Sequence, residues 1–174
     1  MHINYEFKAR CNNIETIESM LKELNPLFIG VDHQVDTYFN ITNGRLKLRE
    51  GTIENSLIHY HRFNNRGMKK SEVTLYQHEP DKNLKEVLTK ALGIKTIVDK
   101  ERKIYFVDNV KFHFDLVNEL GAFVEVEAID KEGSIGTNKL KEQCHYYIGL
   151  FGIKEDQFIA ESYSDLLAKK SSTG

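Results

Sequence analysis

Two carboxylates stand two residues apart in "FVEVEA", at Glu125 and Glu127, with Phe123, Val124 and Val126 around them. Alternation at period two marks a strand with unlike faces, so both acids share one face. Oxygen ligands of this kind suit a hard divalent cation, Mg²⁺ or Mn²⁺, which is typically held by one or two carboxylates together with substrate phosphates. Glu6 in "INYEFKA" and Asp115 in "VKFHFDLV" offer further acids on strand-like alternation. Basic side chains repeat in the same way: Arg45, Lys47 and Arg49 in "GRLKLRE", Arg62 in "SLIHYHRF", and Lys100 and Arg102 in "DKERK". Arginine suits phosphate because its planar fork donates two hydrogen bonds. A cation and a ring of bases around one polyphosphate is the usual arrangement for phosphoryl chemistry.

Chemistry of this kind needs the acids and the bases brought together, so the elements that carry them matter. Strand patterns are read at 3–9, 33–41, 44–50, 56–63, 71–77, 95–107, 110–117 and 122–128. A helix is expected over "NNIETIESMLKEL", capped by Asn12 or Asn13 and ended by Pro26. A second is expected over "DKNLKEVLTKALG", capped by Asp81, with Leu84, Val87, Leu88, Ala91 and Leu92 as its apolar stripe and Gly93 closing it. Further helix follows near the C-terminus, where Leu140, Cys144, Tyr147 and Phe151 recur, and in "SYSDLLAKK". Asn43-Gly44 is a hairpin signal, because both residues tolerate positive φ. Strands outnumber helices, so the expected class is α+β, a mainly antiparallel sheet with helices outside. One domain is expected over 1–170, with 171–174 a disordered tail.

The faces opposite the charges are apolar: Tyr5 and Phe7, Leu46 and Leu48, Phe112 and Phe114. If the sheet curls into a barrel under those helices, the charged faces turn inward to a shared lumen. There each charge must be paired, hydrated or bound to a ligand.

Bulk composition excludes several classes. The 174 residues are 40% hydrophobic and 29% charged, with a net charge of −2, so nothing in the total charge predicts a nucleic-acid partner. No apolar run reaches the roughly 18 residues of a membrane helix. The N-terminus has no signal pattern, and Cys11 and Cys144 stand far apart without metal spacing, so a cytoplasmic protein with reduced thiols is expected. His59 and His61 share a strand face, and His113 shares one with Lys111 and Asp115; neither pattern has zinc spacing. Tyr38 and Tyr60 are read as braces of the lumen. The loop "NNRGMKKSE", Asn64 to Glu72, reads equally as a lid over the lumen or as a solvated turn.

In order and spacing, "NYEFK", "QVDTYFN", "GRLKLRE", "KERKIYFVDNVKFHFDLVNELGAFVEVEA" and "ESYSDLL" resemble the CYTH superfamily, the triphosphate tunnel metalloenzymes, over nearly the whole chain. The bacterial class IV adenylyl cyclase and CYTH-like group is the nearest. The resemblance implies an eight-stranded antiparallel β tunnel with a charged lumen and flanking helices, open at both ends. It implies Glu6, Glu125 and Glu127 as metal ligands for Mg²⁺ or Mn²⁺, and Glu6, Lys8 and Asp115 as catalytic residues. Lys8, Arg49, Arg62, Lys100 and Arg102 carry over as binders of the substrate phosphates, with Arg45 and Lys47 on the same face. The first Glu of the family's ExExK signature is Asn4 here, which offers an oxygen but no charge.

The implied activity is cyclisation of ATP to cyclic AMP, or hydrolysis of a nucleoside, thiamine or inorganic triphosphate. The alternative is a module that holds a nucleotide or polyphosphate without turnover. A lipocalin-like barrel for an apolar ligand is disfavoured by the charged faces. The expected partner is a small-molecule triphosphate, without nucleic acid or membrane, and a homodimer fits the resemblance.

Overall fold

The computed structural model describes residues 2–62 and 67–172. Its strands are β1 (His2–Arg10), β2 (Leu27–Phe39), β3 (Arg45–Gly51), β4 (Ser56–Arg62), β5 (Lys69–Gln77), β6 (Ile94–Val107), β7 (Val110–Val117) and β8 (Gly121–Asp130). They close into a barrel in the order β1-β5-β4-β3-β2-β6-β7-β8, every neighbouring pair antiparallel, with β8 returning to β1. Closure removes every sheet edge and sorts alternate side chains strictly into lumen and exterior. The helices are α1 (Ile14–Lys22), α2 (Lys82–Leu92), α3 (Thr137–Leu150) and α4 (Tyr163–Ser172). The α+β class and the eight-stranded antiparallel barrel are as expected.

The main apolar core lies outside the barrel. Phe7, Phe112, Phe114, Val124 and Val126 face outward and are covered by Leu140, Cys144 and Tyr147 of α3, by Phe151 directly after it, and by Ile17 and Leu21 of α1. Phe112 packs edge-on against Tyr147, ring centroids 4.7 Å apart. Cys144 and Cys11 are buried free thiols, and burial pushes the Cys144 thiol up to about 12. With the apolar faces spent on this exterior core, the polar faces of the same strands have only the lumen to turn to.

Several local expectations meet a different outcome. β2 begins at Leu27 rather than His33, because its first residues pair with β6 (Leu27 with Phe106, Phe28 with Tyr105) although they stay exposed and do not alternate. Asp81 caps α2 by accepting from the Asn83 amide at 2.8 Å, yet no residue of α2 is fully buried, so its stripe only rests on the barrel. Asn13 sits at the N-cap of α1 without a side-chain cap bond. β5 starts at Lys69, so the second half of the expected loop Asn64–Glu72 is strand; Asn64, Asn65 and Arg66 lie outside the described residues. α4 takes in Ser171 and Ser172 of the expected tail.

The hairpin turn falls where it was read, but only Gly44 takes positive φ (+73) and Asn43 does not; a Cβ at Gly44 would stand 2.9 Å from the Tyr60 carbonyl oxygen.

Candidate active site

Alternation places the inner face of each strand, and the register sets which inner faces meet. On β1, Asn4, Glu6 and Lys8 point inward beside Ile129, Glu127 and Glu125 of β8. On β7, Lys111 and His113 stand opposite Glu127 and Glu125. On β3, Lys47 and Arg49 stand opposite Tyr38 and Asp36 of β2. Lys100 and Arg102 of β6 complete the ring. These side chains line one cavity of about 460 Å³, within the usual range for a small-molecule site.

The basic half is organised by a residue that the charge pattern did not single out. Asp36 is buried and accepts from Arg49 Nε at 2.9 Å, Arg49 Nη2 at 3.0 Å, Lys47 Nζ at 2.9 Å and Lys100 Nζ at 2.7 Å. Burial alone would raise its carboxyl; the charges of Arg49, Lys100 and Lys47 outweigh that and hold it well below the usual carboxylate range. One anion shared among three cations leaves a net positive cradle. Lys100 registers the crowding: burial first, then the neighbouring Arg49, Arg102 and Lys47, bring it down to about 7 against the pull of Asp36.

A second buried acid fixes Arg102. Asp115 accepts Arg102 Nε and Nη2, both at 2.6 Å, and also the Tyr163 hydroxyl at 2.7 Å. Tyr163, at the start of α4, lies in the bore with its ring 3.9 Å from Lys8 Nζ. Asp115 is fully enclosed behind Arg102 and does not line the cavity, so its place is that of an anchor for the guanidinium.

The acidic half gathers Glu125, Glu127 and His113, which each offer one ligand atom within 4.8 Å of the others. His113 Nδ1 is 3.4 Å from Glu125 Oε2 and 3.9 Å from Glu127 Oε1. Glu125 is also 3.6 Å from Lys8 and 3.1 Å from Arg102. Burial would raise Glu125, but Lys8, the His113 hydrogen bond and Arg102 hold it well below its ordinary value. Glu127 goes the other way, raised to about 7 by burial and then by the charges of Glu125 and Glu6. His113 is brought down to about 3 by burial and by Arg102, so its ring is neutral near pH 7. Hard oxygen donors crowded until one resists ionisation suit a divalent cation, whose charge would relieve the repulsion. Glu125 and Glu127 can hold it, with the neutral His113 beside them. Glu6 lines the same cavity and pairs with Glu127 in register.

Of the expected site residues, Glu6, Lys8, Lys47, Arg49, Lys100, Arg102, Glu125 and Glu127 line the one cavity. Arg45 does not; its Nη2 is bound to Asp165 Oδ2 of α4 at 2.8 Å. The Arg62 side chain lies outside the described residues, although its backbone pairs with Ser71. Tyr38 and Tyr60 line the bore and are buried, with Lys47 Nζ 5.6 Å from the Tyr38 ring.

Sequence reasoning missed three residues. Asp36 was legible, since it alternates with Gln34 and Tyr38 on the inner face of β2. Tyr163 stands in the quoted "ESYSDLL" but had no strand periodicity to aim it. Glu54, which bonds to Lys111 and lies 3.2 Å from Arg49, had no local signal at all. It sits in the β3–β4 turn, and the buried Asp32 draws that turn inward by accepting the Ile53 amide at 2.8 Å and the Glu54 amide at 3.0 Å. Gly51 admits this approach, since a Cβ there would fall 2.7 Å from Asp32 Oδ1.

Comparison with known proteins agrees with this fold. The CYTH domain family model matches residues 2–163. A Methanocaldococcus jannaschii protein named "putative adenylate cyclase" is 26% identical over 178 residues, covering 94% of this chain and 98% of that one. The solved structure of a Pyrococcus horikoshii protein superposes with a TM-score of 0.80 at 24% identity, covering 95% of this chain and 99% of the other. A Hippeastrum structure, described as a "putative adenylyl cyclase" that "reveals a dominant" triphosphatase activity, gives a TM-score of 0.60 at 14% identity, covering 99% and 96%.

Proposed function

Because this chain belongs to the CYTH domain family, we propose that its barrel is an enzyme site for a triphosphate, worked with Mg²⁺ or Mn²⁺. The reaction is transfer at one of the phosphorus atoms: attack by water, releasing phosphate, or attack by a ribose hydroxyl on the α-phosphorus of ATP, releasing pyrophosphate. The adenylyl cyclase name of one relative and the triphosphatase activity described for another support this pair of outcomes.

The observation that carries the reading is one cavity that holds a basic cluster, Arg49, Lys100 and Arg102, beside an acidic one, Glu125 and Glu127 with His113, the two meeting where Arg102 bonds Glu125. A triphosphate in this cavity satisfies the bases directly. Arg49 and Arg102 are held in place by Asp36 and Asp115, so the donors need little rearrangement when charge develops on the phosphoryl oxygens. Lys8 stands between Glu125 and the Tyr163 ring, where it can contact both substrate and acid cluster. A cation held by Glu125 and Glu127, with Glu6 nearby, would supply neutralisation of phosphate charge. The closed wall limits water to what the bore admits.

The test is a panel of ATP, thiamine triphosphate and tripolyphosphate, each with Mg²⁺ and with Mn²⁺, products resolved by chromatography. Cyclic AMP with pyrophosphate, or a diphosphate with phosphate, is the expected result. Tight binding with no product from any substrate would assign the chain to storage or sensing instead. Neither binding nor product defeats the proposal.

A further inference from the structure

Arg49 is engaged on two sides. Asp36 accepts from its Nε and Nη2, and the remaining nitrogen, Nη1, donates to Glu54 Oε2 at 3.2 Å. The other carboxylate oxygen of Glu54 accepts from Lys111 Nζ. These two bases belong to β3 and β7, which are not neighbours; β2 and β6 stand between them in the barrel. Glu54 therefore ties together cations on separated walls, and all three side chains line the one cavity. Lys111 stands opposite Glu127 in register, yet its ammonium goes to the acid of the β3–β4 turn.

The two parts of Glu54 are held differently. Its backbone is fixed, because Asp32 accepts the Ile53 and Glu54 amides, the Thr52 hydroxyl at 3.0 Å and Gln34 Nε2 at 2.7 Å. Its side chain is 26% exposed, against 2% for Asp36 and 0% for Asp115. Those two acids are enclosed with the bases they anchor, whereas Glu54 keeps an open side and a flexible stem. The bonding around it is also incomplete. Gln34 donates Nε2 to Glu54 Oε2 at 3.3 Å, while its Oε1 is buried with no hydrogen-bond partner among the described residues. Buried polar atoms are ordinarily paired, so this arrangement leaves a group for a rearrangement to satisfy.

A carboxylate and a phosphoryl group offer the same thing to a guanidinium and an ammonium: anionic oxygens that accept charge-assisted hydrogen bonds. Resting on the triphosphate reading above, we infer that Glu54 is an internal stand-in for a phosphoryl group, holding Arg49 Nη1 and Lys111 until a phosphate of the substrate displaces it from both. Lys111 then joins Arg49 as a phosphate contact. The exchange swaps one anion for another, so neither cation is left unpaired in the enclosed bore. The return of Glu54 competes with bound product in the same way and speeds its release.

The experiment is a double-mutant cycle read by titration calorimetry, on wild type, Glu54→Gln, Lys111→Gln and the double variant. The probe is whichever of ATP, thiamine triphosphate and tripolyphosphate wild type binds best, with the same cation throughout. Glu54→Gln keeps the shape and removes the competing charge, and is expected to bind about tenfold more tightly. Loss of any nearby negative charge would push the same way, so the cycle decides. Lys111→Gln is expected to cost about tenfold in the Glu54→Gln background but about threefold or less in wild type, where Glu54 already occupies the ammonium. Unchanged or weaker binding by Glu54→Gln overturns the inference. So does an equal cost of Lys111→Gln in both backgrounds, which reduces Glu54 to a background charge. Should a variant fail to fold, as its melting curve would show, a crystal structure of wild type with the same probe decides: Glu54 parted from Lys111 upholds the inference, and Glu54 still bound to it overturns it. No binding of any of the three by any form overturns the triphosphate reading and this inference with it. That result is distinct from binding that Glu54→Gln leaves unmoved, which overturns the inference alone.

Discussion

Arg49 and Glu127 illustrate how one side chain can matter to function more than to the fold. Arg49 donates to Asp36 and lies beside Glu54, but its guanidinium also faces the cavity. Arg49→Ala is expected to lower kcat/KM by about 10²- to 10³-fold, the scale of losing one preorganised donor, while circular dichroism stays native. Glu127→Gln keeps the shape and removes the charge. It is expected to weaken Mn²⁺ binding measured by titration calorimetry, and activity with it. Asp36→Asn acts differently, because three cations lose their shared anion at once. That substitution is expected to cost about 3 to 5 kcal/mol in denaturant unfolding, the scale for breaking a buried ion pair. Unchanged stability would show that Lys47, Arg49 and Lys100 do not depend on it.

Among the elements, α1 is tied to the barrel by Glu18. Its carboxylate accepts from Lys103 Nζ at 2.8 Å and the Tyr105 hydroxyl at 2.6 Å, and pairs with Lys22 at 3.0 Å. Burial would raise Glu18, but those hydrogen bonds win and bring it down to about 2 from an ordinary value of 4.5. A carboxyl depressed on folding stabilises fully above its unfolded value and loses that contribution as pH falls through the folded one. Unfolding free energy is therefore expected to drop between about pH 5 and pH 2, and Glu18→Gln to flatten that part of the profile; an identical slope would contradict the assignment. The exterior core makes a second prediction at this scale: Phe112→Ala, beneath Tyr147 and Phe151, should cost about 3 to 5 kcal/mol in unfolding experiments.

The same elements show what could be read in advance. Period-two alternation in β1, β3, β6 and β8 tells which residues share a face, and the apolar character of the opposite faces tells which way they turn. That is enough to gather Glu6, Arg49, Arg102, Glu125 and Glu127. It failed where aim depends on tertiary contacts. Glu54 reaches the bore only because Asp32, far away in sequence, captures the turn backbone. Arg45 keeps the right parity but is claimed by Asp165 of α4. The first residues of β2 do not alternate, so only the pairing with β6 reveals them as strand.

At the scale of the whole molecule, a closed barrel solves two problems with one surface. Its outer face supplies the core under α1 and α3, and its inner face can then carry charge that an open sheet would leave to bulk water. The sharpest check is a crystal structure with a non-hydrolysable triphosphate and Mn²⁺. Phosphate oxygens are expected within hydrogen-bond reach of Arg49 and Arg102 inside the bore, and the metal on Glu125 and Glu127. A ligand seated on the outer surface, with the bore filled only by water, would contradict it.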